Sequence, residues 1–541
     1  MLSKNFMPFI PPSKQLFLIA CSYKPTMSAL AERHSNQFVL FHVLFVFLMI
    51  LELVSSFNSA TYAASATTKV GEDGTEVAAL LRWKASLDNQ SQSLLFSWAG
   101  SNHCNWVGID CNNADRVTHI DLESNGLRGT LSNLNFSSFP QLLSLKLHNN
   151  SIYGTIPSKI GSLVTLTYLD LSSNYLSGTI PSEIGILSSL TILYLYDNQL
   201  SGSIPQEVGM LRSLIELELS TNNLTGSIPA SIGNLTDLTI LYLFKNQLSG
   251  SIPQEVGMLS SLIKLSLSTN TLTGSIPASI GNLANLTILY LHTNQLSGSI
   301  PQDVGMLRSL IHLELSINNL IGSIPTSIGN LTNLTILYLY ENQLSGSIPQ
   351  DVGMLRSLIE LSLQTNNLTG SIPSSIGNLT NLNILYLYKN QLSGSIPQDV
   401  GMLRSLIELD WSENNLTGLV PTSIGNLATL TILYLFKNSL FGPIPQEVGM
   451  LRSLIELDLS VNNLTGSIPT SLGNLTNLTI LHLYTNQLSG SIPQDVGMLR
   501  SLIHLDLSTN NLIGSIPASI GNLANLTALH LERNQLSGSI P

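Results

Sequence analysis

Charge is scarce in this chain. Asp, Glu, Lys and Arg make up 10% of its 541 residues, and acidic residues outnumber basic ones 33 to 22, for a net charge of −11. A nucleic-acid binder displaces counterions with clustered Lys and Arg. The basic residues here are few and scattered along the sequence, so that class of partner is not expected. Cysteine is scarcer still: of three, Cys21 lies near the start, leaving Cys104 and Cys111 as a pair in "CNWVGIDC". An oxidising compartment favours a bridge between such neighbours. The alternatives are two reduced thiols or half a metal site, and no second Cys/His pair stands nearby at metal-ligand spacing.

Long apolar runs are also lacking beyond residue 54. The one long run, "FVLFHVLFVFLMILELV" from Phe38 to Val54, is interrupted by His42 and Glu52 and followed by the small-residue stretch "SATYAASA" ending at Ala66. That pattern predicts a leader over residues 1–66, a secretory signal cleaved between about Ala60 and Ala66. Translation from Met27 gives a more regular amino-terminal region carrying Arg33 and His34. The alternative is an uncleaved amino-terminal anchor. Either way the body of the chain is expected in the secretory pathway.

What the chain has in abundance is repetition. "LTILYLYENQLSGSIP", Leu334 to Pro349, is nearly a copy of Leu190 to Pro205. From Ile120 the pattern L-x-x-L-x-L-x-x-N-x-L-x-G-x-I-P recurs, its Asn at 125, 150 and 174 and then every 24 residues to Asn534, which makes 18 repeats. In one unit the apolar positions are Leu166, Leu169, Leu171, Leu176, Ile180, Ile184 and Leu187. The period-two alternation of Leu169 and Leu171 predicts a short strand, followed by a turn and an irregular return. Such a unit cannot bury its own apolar face, so the units must stack into a solenoid with a parallel sheet on one side. At about 4.8 Å per strand the sheet runs on the order of 85 Å. The Asn amide suits a buried turn, where it can satisfy backbone groups and tie coil to coil. Gly178 permits a tight course, and Pro181 must sit where no N–H is needed.

The L-x-G-x-I-P segment resembles the plant-specific class of leucine-rich repeats, found in receptor-like kinases, receptor-like proteins and polygalacturonase inhibitors. "EVAALLRWKASLDNQSQSLLFSWAGSNHCNWVGIDC", Glu76 to Cys111, is similar to that family's amino-terminal cap. Its residues read consistently: Val77, Leu80, Leu81 and Leu87 share a helical face, and Trp83, Trp98 and Trp106 supply bulk to cover the first coil. The resemblance implies an α/β solenoid, a right-handed leucine-rich repeat superhelix with a parallel β-sheet on its concave face. It implies a helical, disulfide-bonded cap over residues 73–115 and repeats over 116–541, the last incomplete. Receptors of this class continue into a membrane helix and usually a kinase. This sequence carries no kinase signature and stops at "NQLSGSIP", so a truncated relative or fragment is expected.

Strand side chains alternate, so the positions six, four and two before each Asn face the concave surface. Two kinds of coil alternate there with a true period of 48. One is aromatic: Tyr194 with Tyr196, Tyr242 with Phe244, Tyr290 with His292, Tyr338 with Tyr340, Tyr386 with Tyr388 and Tyr434 with Phe436. The other is acidic or hydroxylic: Glu216 with Glu218, His312 with Glu314, Glu360, Glu408 with Asp410 and Glu456 with Asp458. Rigid amphipathic rings suit an extended peptide or sugar chain, and acidic stripes favour a partner with basic groups; recent duplication without selection would leave the same pattern. Trp411 replaces a buried Leu, expected as a local packing change. His482, His504 and His530 fall on successive coils, where a pH-sensitive contact or a metal would be conceivable against the default of solvated histidines; no metal or cofactor is expected. Glycosylation sequons include Asn89, Asn135, Asn149, Asn223, Asn234, Asn285, Asn330, Asn367, Asn378, Asn415, Asn463, Asn474 and Asn525, placed to coat flanks and back.

The expected function is extracellular ligand recognition on the concave face, for signalling in development or defence. The resemblance implies a peptide or glycan ligand, a leucine-rich repeat co-receptor and a place at the plasma membrane exterior or cell wall, and the charge balance points to no nucleic acid. The membrane would be reached through the complete receptor or an uncleaved amino-terminal segment. The alternative is a secreted inhibitor of a cell-wall enzyme or a soluble decoy. No nucleophile, base and orienter are grouped at readable spacing, so enzymatic activity is not expected.

Overall fold

The computed structural model describes residues 75–541. The leader expected over residues 1–66 lies outside the described residues.

One repeat stands for all. In the coil that opens at Leu334, a strand Ile336–Tyr338 leads into a second strand Gln343–Gly346 and a short 3₁₀-helix Gln350–Met354. Leu334, Leu337, Leu339, Leu344, Ile348, Val352, Leu355 and Leu358 are buried. Leu337 and Leu339 alternate inward, as a half-buried strand requires. Pro349 takes the N-cap with φ −70 and accepts from the Val352 N–H at 3.1 Å, a site where its own missing N–H costs nothing. The second strand and helix replace the irregular return that spacing suggested. Neither displays a pattern long enough to read, because each is held by the neighbouring coil.

The strands of successive coils form one sheet of 19, eighteen of them parallel, from Val117–Asp121 to Ala528–His530. The remaining strand, Ile109–Cys111, comes from the cap and pairs antiparallel. After a first step of 25 residues, with Ile120 opposite Leu145, register is constant at 24, with Leu313, Leu337 and Leu361 opposite one another. On the adjoining flank the second strands form three sheets of seven, five and five. Their backbone bonds continue across the interruptions: Gln295 N–H reaches Leu272 O at 2.8 Å, and Asn319 N–H reaches Leu296 O at 2.8 Å.

The amide ladder follows the repeat. Asn342 donates through Nδ2 to the carbonyls of Leu315 (3.0 Å), Leu339 (3.2 Å) and Tyr340 (3.3 Å), and its Oδ1 accepts from the Leu320 N–H at 3.0 Å. Two of those partners lie on the preceding coil. The same set recurs from Asn150 to Asn534. Asn125 departs from it, donating only to Glu123 O at 3.0 Å, because the cap rather than another coil precedes it.

The residue before each Asn has a left-handed backbone, φ between 50 and 56, whatever its type. Asn tolerates that conformation readily; a β-branched residue holds it only under strain. β-branched residues hold it in eight coils, six of them with Thr; Ile317 (φ 54) and Val461 (φ 53) are the two with a wholly apolar side chain. Replacing Ile317 by Asn is expected to stabilise the protein by about 1 kcal/mol, read as a higher urea midpoint. An unchanged midpoint would mean that contacts of the half-buried Ile317 offset the strain.

In the cap, helix Glu76–Ser86 buries Leu80 and Trp83, half-buries Val77 and Leu81, and is capped by Thr75. Leu87 is buried too, just past the helix end. Trp83 donates to Thr130 O on the first coil at 2.9 Å, and Trp98 stacks on Trp106 at 5.7 Å. Cys104 and Cys111 are joined in a disulfide. Buried Glu76 gathers Arg116 Nε (3.0 Å), His103 Nε2 (3.3 Å) and the Val117 N–H (3.1 Å).

Candidate ligand-binding face

All the aromatic and acidic positions singled out above stand on the outer face of the eighteen-strand sheet and are half-buried, except Asp458, which is buried. Each ring leans on its own strand partner: Tyr194 on Tyr196, Tyr242 on Phe244, Tyr290 on His292, Tyr338 on Tyr340, Tyr386 on Tyr388 and Tyr434 on Phe436, with centroids 5.8 to 6.3 Å apart.

The two stripes are one network, which corrects the picture of separate aromatic and acidic surfaces. The hydroxyls of Tyr194, Tyr338, Tyr386 and Tyr434 donate to the carboxylates of Glu216, Glu360, Glu408 and Glu456 on the following coil. Tyr290 meets His312 Nδ1 there at 2.9 Å. Lys264 occupies the same slot after Tyr242 and offers no acceptor. Four donors held by charged acceptors fix the rings before any ligand arrives. Burial first, then the hydrogen-bonded carboxylate, pushes the Tyr194, Tyr338 and Tyr386 hydroxyls up, so each stays protonated; burial alone leads for Tyr168, pushed up to about 12. The second acids turn to their own strand: Asp410 accepts from Ser412 N–H (3.0 Å) and Oγ (2.5 Å), and Asp458 does the same with Ser460. Less free acid faces outward than composition suggested.

Glu314 is the titratable exception. Burial pushes its carboxyl from an ordinary 4.5 up to about 7, opposed by Ser316 Oγ at 3.5 Å. His292 Nε2 stands 3.8 Å away, yet burial pulls that imidazole down; desolvation outweighs a pair at the limit of contact. A carboxyl raised on folding binds its proton more tightly in the native state. Its stabilising contribution is therefore full below about 4.5 and is lost as pH rises to about 7. Glu314→Gln should recover on the order of 1–3 kcal/mol at pH 8 and little at pH 4. Parallel urea titrations of both proteins across that range check the sign.

His482, His504 and His530 form a row with centroids 5.7 and 6.2 Å apart, and His482 Nδ1 lies 3.2 Å from Asp458. Among the described residues, the group whose metal-ligand atoms converge is instead His103, Cys104 and Cys111, whose sulfurs are spent in the disulfide. Trp411 fills a Leu slot, fully buried, with its Nε1 unpartnered. Of the sequons, twelve have exposed Asn; Asn135 is half-buried and donates to Ser138 Oγ at 3.0 Å.

Family models for the leucine-rich repeat region match residues 127–271 and 374–492, single repeats match between 261 and 523, and the leucine-rich repeat N-terminal domain matches 73–112. The chain is 43% identical over 93 residues to the LRR receptor-like serine/threonine-protein kinase RGI3 of Arabidopsis thaliana; that match spans 17% of this chain and 8% of the relative. A TDR receptor structure superposes with a TM-score of 0.71 at 34% identity, covering 78% of this chain and 77% of that one. For the plant peptide hormone receptor RGFR1 in complex with RGF2 the values are 0.61, 36%, 81% and 84%. For the Arabidopsis receptor kinase HAESA with the peptide hormone IDA and the co-receptor SERK1 they are 0.52, 33%, 86% and 94%. With cap, repeats and sheet all in common with these receptors, the chain belongs to the plant leucine-rich repeat receptor ectodomains.

Proposed function

We propose that this chain is the extracellular sensing part of a plant receptor, and that it binds an extended peptide along the outer face of the strand sheet. The observation that carries the reading is the Tyr-to-Glu network, which holds half-buried rings in place across coils 194 to 456. Preorganised aromatics lose little entropy on contact and rank among the residues that dominate interfaces. Support also comes from RGFR1 and HAESA, similar receptors seen with peptide hormones, the second with a co-receptor as well. A leucine-rich repeat co-receptor, a place outside the plasma membrane and a role in development or defence belong to the same proposal. Kinase output would lie in sequence beyond this chain.

The test is a peptide-display selection against the secreted protein, followed by titration of the strongest binder. Replacing Tyr338, Tyr340, Tyr386 and Tyr388 together by Ala should weaken that binder at least about a hundredfold with circular dichroism unchanged. Undiminished affinity would move the site off these coils. A selection that instead returns binders to the helical flank would favour the inhibitor-like reading.

A further inference from the structure

Basic residues that look scattered in sequence are brought into line by the fold. Arg212, Arg308, Arg356, Arg404, Arg452 and Arg500 occupy one position, two residues past the end of the 3₁₀-helix, in alternate coils; in the remaining such coil Ser260 interrupts the series. All six are exposed. Among the described residues none of them forms an ion pair. They lie on the flank where the chain returns from helix to strand, away from the second strands. From Arg308 to Arg500 the row is unbroken, and each step of two coils is about 10 Å, twice the interstrand spacing.

That step is close to the Debye length of about 10 Å at 0.1 M salt. Neighbouring guanidinium groups are therefore largely screened from one another and form a rail of separate positive charges on a chain whose net charge is −11; the same helices carry Asp303, Asp351, Asp399, Glu447 and Asp495, half-buried, five residues before each Arg. The intervening coils carry only Thr332, Thr380, Ala428 and Thr476 at the same position, so nothing bulky or acidic breaks it there. Beside each Arg stand an exposed Met and an exposed Ile, as in Met354 and Ile359 at 52% and 38% exposure. A row of evenly spaced cations edged with apolar contacts fits an extended partner with evenly spaced anions and apolar faces. A folded acidic protein presents no such period, and a lipid surface needs no single line.

We infer that the arginine rail binds a linear polyuronate, an unbranched acidic polysaccharide with a carboxylate on each sugar. The guanidinium groups pair with carboxylates in the planar geometry that arginine favours, and the Met and Ile side chains lie against sugar ring faces. The site is independent of the peptide face, so a ligand can occupy either.

The experiment titrates the secreted full chain, with native glycans and with glycans trimmed to one sugar, against polygalacturonate by biolayer interferometry. Trimming is included because sequons Asn330, Asn378 and Asn474 open near the rail. The expected result is binding by at least one form, weakening about tenfold or more between roughly 50 and 200 mM salt. Changing Arg308, Arg356, Arg404, Arg452 and Arg500 together to Gln should weaken it at least about tenfold; Lys245→Gln with Lys389→Gln should not. No binding by either form overturns the inference, as does equal binding by the five-Arg variant. Equal loss in the two-Lys variant would reduce the rail to diffuse charge. Undiminished binding of fully methyl-esterified polymer would remove the carboxylate from recognition. Preference for phosphatidylserine vesicles over the polymer would assign the rail to a membrane instead.

Discussion

Asn342→Ala is expected to lower stability by about 3–5 kcal/mol, among the largest effects of any single side chain here. The amide serves four backbone groups, three of them in buried bonds: it donates to the Leu315, Leu339 and Tyr340 carbonyls and accepts from the Leu320 N–H. Truncation leaves the Leu320 N–H with no partner, at about 1–3 kcal/mol for a buried unsatisfied group, while the Leu315, Leu339 and Tyr340 carbonyls lose one bond each, about 0.5–1.5 kcal/mol apiece, and keep Asn318 Nδ2, Asn366 Nδ2 and the Ile317 N–H. Partial relaxation keeps the total below the sum. Asn342→Asp should also destabilise, since a carboxylate keeps the acceptor but turns its second oxygen against three carbonyls. Asn125→Ala supplies the contrast, because Asn125 makes one local bond to Glu123 O; a loss under about 1 kcal/mol is expected. Urea midpoints followed by far-UV circular dichroism decide between them. Equal losses at both positions would mean that the ladder bonds are replaced by water in the variant.

The ladder could be read from sequence because its chemistry and its period coincide: an amide recurs every 24 residues beside buried leucines. The cap could be read for a similar reason, since three bulky tryptophans precede the first coil. The Tyr-to-Glu network was hidden because partners such as Tyr338 and Glu360 stand 22 residues apart, and only the stacking of coils brings them together. Read by position alone, they become two stripes of different character. The arginine rail was hidden in the same way. A count along the chain registers few and scattered cations, whereas the 48-residue period places them in a line. The second strands escaped notice because backbone pairing holds them and no alternating side-chain pattern announces them. What local pattern encodes was legible; what adjacent coils supply was not.

Gly353→Ala should be the second large loss, at least about 1–3 kcal/mol from overpacking. Gly353 has no positive φ, so conformational freedom does not explain it. A Cβ there would sit 2.3 Å from Ser375 O and 2.6 Å from Ser375 Cβ on the following coil. Neither is the end of a flexible side chain, so the coils themselves must separate. The equivalent glycines from Gly185 to Gly497 face the next coil in the same way, which makes this contact the spacer that sets how closely helices stack. Gly521 is the internal control: a Cβ there meets nothing within 4 Å. Alanine at 521 should be neutral or stabilise by up to about 1 kcal/mol, as its helix propensity predicts. In a solenoid each unit leans chiefly on its neighbours, so a wedge at 353 should also split unfolding into two phases. Trp411, buried in a coil beyond the wedge, and Trp83, Trp98 and Trp106 in the cap report the two sides separately. A single transition shifted equally in both variants would mean that the stack yields at this contact and that spacing is set elsewhere, with the amide ladder as the remaining candidate.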